Sequence, residues 1–459
     1  MVKRVKRIAV IGAGWAGCSA AVTLAALGHQ VSLIEASRTL GGRARKVAIH
    51  DNALDNGQHI LLGAYSATLA IMRKVGIDTE KTMLRLPLQM CYPSGSHGMH
   101  FVAPKLPAPL HLLIALLRAS GLHREDKLSL ARFSTTARWM DWQLHQDCSV
   151  SELLERFEQT ERLCKLMWIP LCIAALNTPP ERASAKIFLN VLRDSLGARQ
   201  AASDMLLPRV NLSELMPEAA AVFIQQRGGE VLTGTSVKKL TQLADQNWQL
   251  ETSNLSKTNA SKWDAVIIAT EFDRAQRLLD NISTTEIISA PKINMDFGYE
   301  PITTCYLQYS KELSLPRPFF ALIDDAQSKR WAQFIFDRGQ LQQDQQGLMA
   351  VVVSASTQAI ELSHTELAHE IALQLAQDFN KPEMATPIWH QIISEKRATF
   401  SCTPGLKRPI NQTGVNGLFI AGDYTDCDYP ATLEAAVRSG EAAAQSLMAN
   451  LNPPGHRHP

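Results

Sequence analysis

The tightest constraint in this chain is the run Gly12-Ala13-Gly14-Trp15-Ala16-Gly17, set between the apolar stretch Ile8 to Ile11 and an alanine-rich apolar segment. That order reads as strand, glycine turn and helix. The first glycine permits the tight turn, the second lets the backbone approach a pyrophosphate, and the third lets helix and strand pack closely. The helix start then offers free N–H groups to phosphate charge. Glu35 follows Gly17 by eighteen positions, at the end of a second strand-like run, Gln30 to Ile34. A carboxylate there accepts both hydroxyls of an adenosine ribose. The same letters also resemble an export signal, with MVKRVKR as a basic start and Ala-Gly-Cys18 as its end. Cleavage near Cys18 would destroy the turn that the elements below complete, so the expectation is a chain that keeps it.

Two more elements extend this site. Leu40-Gly41-Gly42-Arg43 suits a second approach to the pyrophosphate, with the guanidinium countering its charge. An ordinary Gly-Gly loop with a solvated arginine is the structural alternative. Near the far end stand Ala421-Gly422-Asp423 and Pro430-Ala431-Thr432-Leu433-Glu434. Asp423 suits the ribityl or phosphate region of a long cofactor, or a simple cap. A helix beginning near Ala431 aims its positive end at whatever precedes it, which stabilises the negative charge of a reduced flavin.

The rest of the chain bounds what surrounds this core. With 459 residues, 46% hydrophobic and 20% charged, it can bury large cores. A net charge of +2 excludes the basic excess of a dedicated nucleic-acid binder. Eight scattered cysteines without a CxxC pair form neither a disulfide framework nor a zinc motif, pointing to reduced thiols in the cytoplasm. Residues 228 to 270 hold a β-pair (GGEVLTGTSVKKL with NWQLETS), a polar stretch from Ser253 to Lys262, and the buried strand DAVIIAT. Roughly 76 to 205 is mostly helical in pattern. Roughly 285 to 404 alternates strand-like runs (ITTCYLQYS, LMAVVVSAS) with a helix from Thr365 to Phe379. The expectation is one nucleotide-binding domain from 1–75, 206–284 and 405–450, a substrate domain from 76–205 and 285–404, and a disordered tail at 451–459.

Together GAGWAG, Glu35, LGGRAR, LDNGQHILLGAY and AGDYTDCDYPATLEAAVRSG resemble the amine-oxidase/phytoene-desaturase group of FAD enzymes. Within it the chain is similar to the squalene-associated FAD-dependent desaturases of bacterial hopanoid pathways. The motifs cover residues 8 to 66, about 228 to 270 and 396 to 445, with the inserts following more loosely. The resemblance implies an α/β fold with a Rossmann-like FAD-binding domain assembled from separated segments, plus an α+β substrate domain. It implies FAD lying extended, with adenosine at Gly12, Gly14, Trp15, Ala16, Gly17 and Glu35 and pyrophosphate at Gly42 and Arg43. The isoalloxazine would lie between Gly57-Gln58-His59 and the helix start at Thr432 and Leu433, with Gly422 and Asp423 nearby. Val237 would offer backbone groups to the adenine.

The implied reaction is loss of an allylic hydroxyl from an isoprenoid alcohol, with reduced flavin as electron source. His59 and Asp55 are the candidate acids, His59 with the more suitable intrinsic pKa. A hydrogen-bonded structural histidine is the competing reading. Tyr65 and Tyr429 could line the cavity or simply pack. Oxidative relatives (carotenoid desaturases, amine oxidases) and a non-catalytic prenyl-lipid carrier remain alternatives. No second GxGxxG offers a pyridine nucleotide, which leaves another protein as electron donor. The run Phe101 to Leu110, continuing through HLLIALLRASGLHR with Lys105, Arg118 and Arg124 at its edges, suits either a shallow dip into a membrane surface or a buried helix. The first option would put a cytoplasmic protein at the periphery of the inner membrane. His97 and His100 form an HxxH with no further ligand, so no metal is expected.

Overall fold

The computed structural model describes residues 5–50, 52–253, 262–282, 295 and 297–451. The tail from residue 452 on, most of the polar stretch after Ser253, and the domain boundary at 284/285 lie outside the described residues.

Five short strands, β1 (Arg7–Ile11), β2 (Gln30–Ile34), β3 (Glu230–Leu232), β4 (Ala265–Ile268) and β5 (Leu418–Ile420), form an all-parallel sheet in the order β3-β2-β1-β4-β5. Strands covered on both faces read as unbroken apolar runs, which is why IAVI, VSLI, AVII and LFI look alike. Start, middle and end of the chain all contribute. The run GGEVLTGTSVKKL divides. Its first half becomes β3, and its second half (Val237–Gln242) pairs antiparallel with Trp248–Thr252.

Helices α1 (Trp15–Ala26), α2 (Ser66–Lys74), α3 (Leu110–Arg118), α4 (Arg124–Trp139) and α5 (Leu433–Leu451) frame the rest. Ten of the twelve residues of α1 are buried, because α5 covers the side that the sheet does not. Small residues make that approach possible. A Cβ on Gly440 would run into the Ala16 carbonyl oxygen. The helix after β5 begins at Leu433, three residues beyond Pro430, and the Ala435 N–H donates to the Thr432 hydroxyl (3.2 Å).

A second, antiparallel sheet runs Phe319–Ala321, Phe334–Asp337, Leu348–Ser354, Tyr299–Gln308, Trp389–Phe400. Alternation in ITTCYLQYS sorts its faces. Cys305 and Leu307 pack under the helix His364–Phe379, whose N-cap Ser363 accepts from the Glu366 N–H. Tyr306 points the other way and donates to the Asp55 carbonyl (2.8 Å).

The segment from 76 to 205 is mostly helical, as its spacing indicates, with short strands among the helices. Met83–Leu86, Gln89–Cys91 and His100–Val102 are strands. Met83–Leu86 pairs with Met205–Pro208, which also pairs with Leu61–Leu62, just beyond His59. Leu- and Met-rich runs of this length carry no period that separates strand from helix. The whole is an α/β fold, with a Rossmann-like layer drawn from separated segments beside an α+β part.

Candidate active site

The glycine turn is fixed by backbone geometry. Gly12 has φ +101°, and a Cβ on it would lie 2.6 Å from the Ala269 carbonyl oxygen. A Cβ on Gly17 would run into the Gly12 carbonyl oxygen. Gly14 differs. Its nearest obstacle would be the Gly42 Cα at 3.8 Å, and Gly42 itself sits at φ +63°. A Cβ on Gly42 would lie 3.1 Å from the Gly14 Cα, so the two glycine backbones lie close together and present bare backbone of the kind a pyrophosphate can approach. Gly14 caps α1 without a side-chain bond and the first turn holds no acid, so its N–H groups are left for an anion.

Glu35 ties this turn to its neighbours. Its carboxylate accepts from the Ala13 N–H (2.7 Å) and the Ser37 N–H (2.8 Å). Thr235 N–H in turn donates to the Glu35 carbonyl (2.8 Å), which brings the start of Val237–Gln242 alongside. The Val237 carbonyl accepts from Arg274 (2.7 Å).

Arg43 and Asp423 meet. The guanidinium donates to both carboxylate oxygens at 2.7 Å and to the Ala398 carbonyl. Paired this way, they form one clasp between the LGGR loop and the segment after β5. The clasp opens onto a small cleft with Phe272, Tyr299 and Tyr424. The Tyr424 hydroxyl, the Trp15 indole N–H and the Thr304 hydroxyl are buried without a partner among the described residues. Glycines that any Cβ would clog, together with buried polar atoms still seeking partners, fit a long polar cofactor with a dinucleotide body.

At the other end sit Gly57, Gln58 and His59. The Gly57 carbonyl can only accept, so His59 Nδ1 carries the proton of that 2.8 Å bond. The lone pair of neutral His59 is therefore at Nε2. Burial pushes the imidazole pKa down, the Gly57 bond pulls it back, and the Arg43 charge lowers it again. A neutral Nε2 accepts hydrogen bonds and does not donate them. Asp55 lies elsewhere. It is 2% exposed at the end of Asn52–Asp55, its carboxylate accepts from the Leu212 N–H (2.8 Å), and it makes no bond to His59. Burial lifts its carboxyl to about 6 against the pull of Arg338. A Cβ on Gly57 would lie 3.8 Å from the Thr304 hydroxyl, so that orphan faces the same corner. Tyr429 donates to Asp194 (2.6 Å) and has the Arg438 guanidinium 5.0 Å over its ring.

Several contributors carry no local signature. Arg338, 1% exposed, donates to Gln58 Oε1 (2.9 Å) and Gln345 Oε1 (2.8 Å) and so clamps the 57–59 loop to the antiparallel sheet. Glu434, 2% exposed, accepts from the Ala67 and Thr68 N–H groups, the Thr68 hydroxyl and Arg438. It is an N-terminal cap for α2 supplied by α5. Only its place in PATLE, next to a helix start, could have pointed to it. His100, of the HxxH pair, is engaged by Arg317 (3.1 Å).

A family model described as flavin containing amine oxidoreductase matches residues 15–448. The chain is 28% identical over 457 residues to the hydroxysqualene dehydroxylase of Rhodopseudomonas palustris, covering 97% of this chain and 99% of that protein. It is 23% identical to the zeta-carotene desaturase of Synechocystis, covering 97% of each. Among solved structures, an oxidoreductase from Methanosarcina mazei has the same fold, with a TM-score of 0.70 at 15% identity over 96% of this chain and 99% of that one.

Proposed function

Because the chain belongs to the family of flavin-containing amine oxidoreductases, and is an FAD-dependent oxidoreductase, we propose that it removes the hydroxyl of hydroxysqualene to give squalene. The observation that carries this reading is similarity along nearly the whole length to relatives named for that reaction. In it, 1–75, 206–284 and 405–450 hold FAD, and 76–205 with 285–404 hold the hydrocarbon. Gly12 to Gly17, Glu35 and Gly42 would bind the dinucleotide body, Val237 the adenine, the Arg43–Asp423 clasp with Gly422 the middle, and Gly57, Gln58, Thr432 and Leu433 the ring end. Reduced flavin, when bound, supplies a hydride to the allylic carbon as the C–O bond breaks and the oxygen leaves as water with one added proton.

The protein's own part is to keep water out and orient the alcohol. Neutral His59 does this by accepting the substrate O–H at Nε2. As the proton source it would have to be charged first, against the downward push on its pKa. The departing oxygen then takes its proton from another donor. A membrane-dissolved substrate has the chain working at the cytoplasmic surface of the inner membrane, reduced by a donor protein.

A second reading has one atom in its favour. An acceptor at His59 Nε2 is what oxidative desaturation of a polyene needs to take up a proton, and the carotenoid desaturases are also relatives. The lipid-carrier reading is set aside by the flavin family. An anaerobic single turnover separates the first two. Photoreduced protein is mixed with hydroxysqualene, flavin is followed by absorbance and product by mass spectrometry. Reoxidation with stoichiometric squalene supports the dehydroxylase. A flavin that stays reduced, while oxidised protein bleaches with phytoene-like polyenes, supports the desaturase.

A further inference from the structure

Six of the eleven large apolar side chains exposed among the described residues fall between Leu106 and Trp139. Single exposed leucines are ordinary, whereas a cluster marks an interaction surface. Leu110, Leu113 and Leu117 recur at steps of three and four, the spacing of one side of α3, and Leu106 is exposed in the segment just before it. Their exposure runs from 38% to 62%. The other side of α3 buries His111, Ala115 and Leu116. Lys127 donates to the Leu117 carbonyl (3.0 Å), which holds α4 and its exposed Leu128 at the same end.

Charge selects what covers this face. Residues 105–139 contain Lys105, Arg118, Arg124, Lys127, Arg132 and Arg138 against Glu125 and Asp126, a net of +4 where the whole chain carries +2. Asp126 is buried and already accepts from the His123 N–H and the Thr160 hydroxyl. Lys105, Arg118 and Arg124 are exposed and make no ion pair among the described residues. A second copy would bring like charge against like. An anionic bilayer brings hydrocarbon for the leucines and phosphate for the cations. No described helix is long and apolar enough to cross a membrane.

We infer that the α3–α4 face docks on an anionic lipid bilayer, lying in its surface. This rests on the proposed function only in taking the substrate to be membrane-dissolved. The FAD-loaded full chain is floated with phosphatidylcholine vesicles and with vesicles containing phosphatidylglycerol. It floats with the anionic vesicles, more weakly with the neutral ones, and less as salt rises. The double variant Leu113→Glu/Leu117→Glu, both positions exposed, weakens binding at least about tenfold. Arg118→Gln/Arg124→Gln loses the anionic preference and keeps the residual neutral binding. Retained flavin absorbance and unchanged turnover on detergent-dispersed substrate certify that the variants are folded. The dock is overturned if wild type floats with neither vesicle, if the leucine variant floats like wild type, or if the leucine face instead doubles the sedimenting mass. A chain that floats as described yet never consumes hydroxysqualene supports the dock while ending the proposed reaction.

Discussion

At the β1–α1 turn, the tight approaches are between backbone atoms, Gly12 against Ala269, Gly17 against Gly12 and Gly14 beside Gly42, with the Glu35 carboxylate accepting from the Ala13 N–H. At the Gly57–His59 corner they come from side chains far along the sequence, Arg338 on Gln58 and Tyr306 on the Asp55 carbonyl. The first arrangement tolerates almost no change because nothing in it can rotate away. The second depends on a buried polar network, which is costly when one member is lost and the others stay. Rigidity by exclusion and rigidity by mutual satisfaction thus hold opposite ends of the proposed cofactor site.

Four substitutions sharpen that contrast. Gly17→Ala has the largest effect. Its methyl meets a carbonyl that belongs to the turn itself, so a loss of about 4 kcal/mol or more is expected, together with loss of bound flavin. Soluble yellow protein of normal denaturation midpoint would show that the turn can yield. Arg338→Met comes next. Removing the guanidinium leaves the acceptors of Gln58 and Gln345 unpaired in the interior, at a cost of about 3 kcal/mol. Guanidinium chloride titration reads this directly, and Arg338→Lys should recover part of it.

Asp55→Asn acts on pH dependence. A carboxyl whose folded pKa is raised to about 6 contributes stability that is full below its ordinary value and lost as pH rises through about 6. The substitution should flatten this decline, worth up to about 3 kcal/mol between acid and neutral pH. Urea midpoints across that range test it, and parallel curves for variant and wild type would remove Asp55 as the cause. Gly14→Ala is the smallest in stability. Its backbone is already extended (φ −70°) and the Gly42 Cα, 3.8 Å from the new methyl, stands at ordinary contact distance, so the apoprotein should change by less than about 0.5 kcal/mol. Flavin affinity should nevertheless fall at least about tenfold, because the methyl projects into the cradle. A titration of apoprotein with FAD shows whether the two effects separate.

The same contrast explains what could be read from the letters. GAGWAG and LGGR are legible because the constraint is steric and local: the residue type is the geometry. Arg338 is illegible. It sits in FIFDRGQ, where an arginine after an Asp looks like a turn residue, and its role exists only once the antiparallel sheet brings it to Gln58. Arg43 and Asp423 each stand out in the sequence as candidate cofactor-side residues, whereas their pairing across 380 positions does not. Composition likewise singled out the apolar run near Leu110 but could not say which leucines face outward, since periodicity fixes a stripe and not its direction.

The buried carboxylate of Glu434 has a consequence for how the chain is made. It caps α2, and α5 covers the outer side of α1, whose ten buried residues include hardly a polar atom. During synthesis those N-terminal surfaces emerge first and their cover comes last. Until α5 leaves the ribosome, an apolar helix and an uncapped one wait in the open, a state prone to aggregation. Products truncated before residue 433 should be cleared by proteolysis and not accumulate as a half-built enzyme.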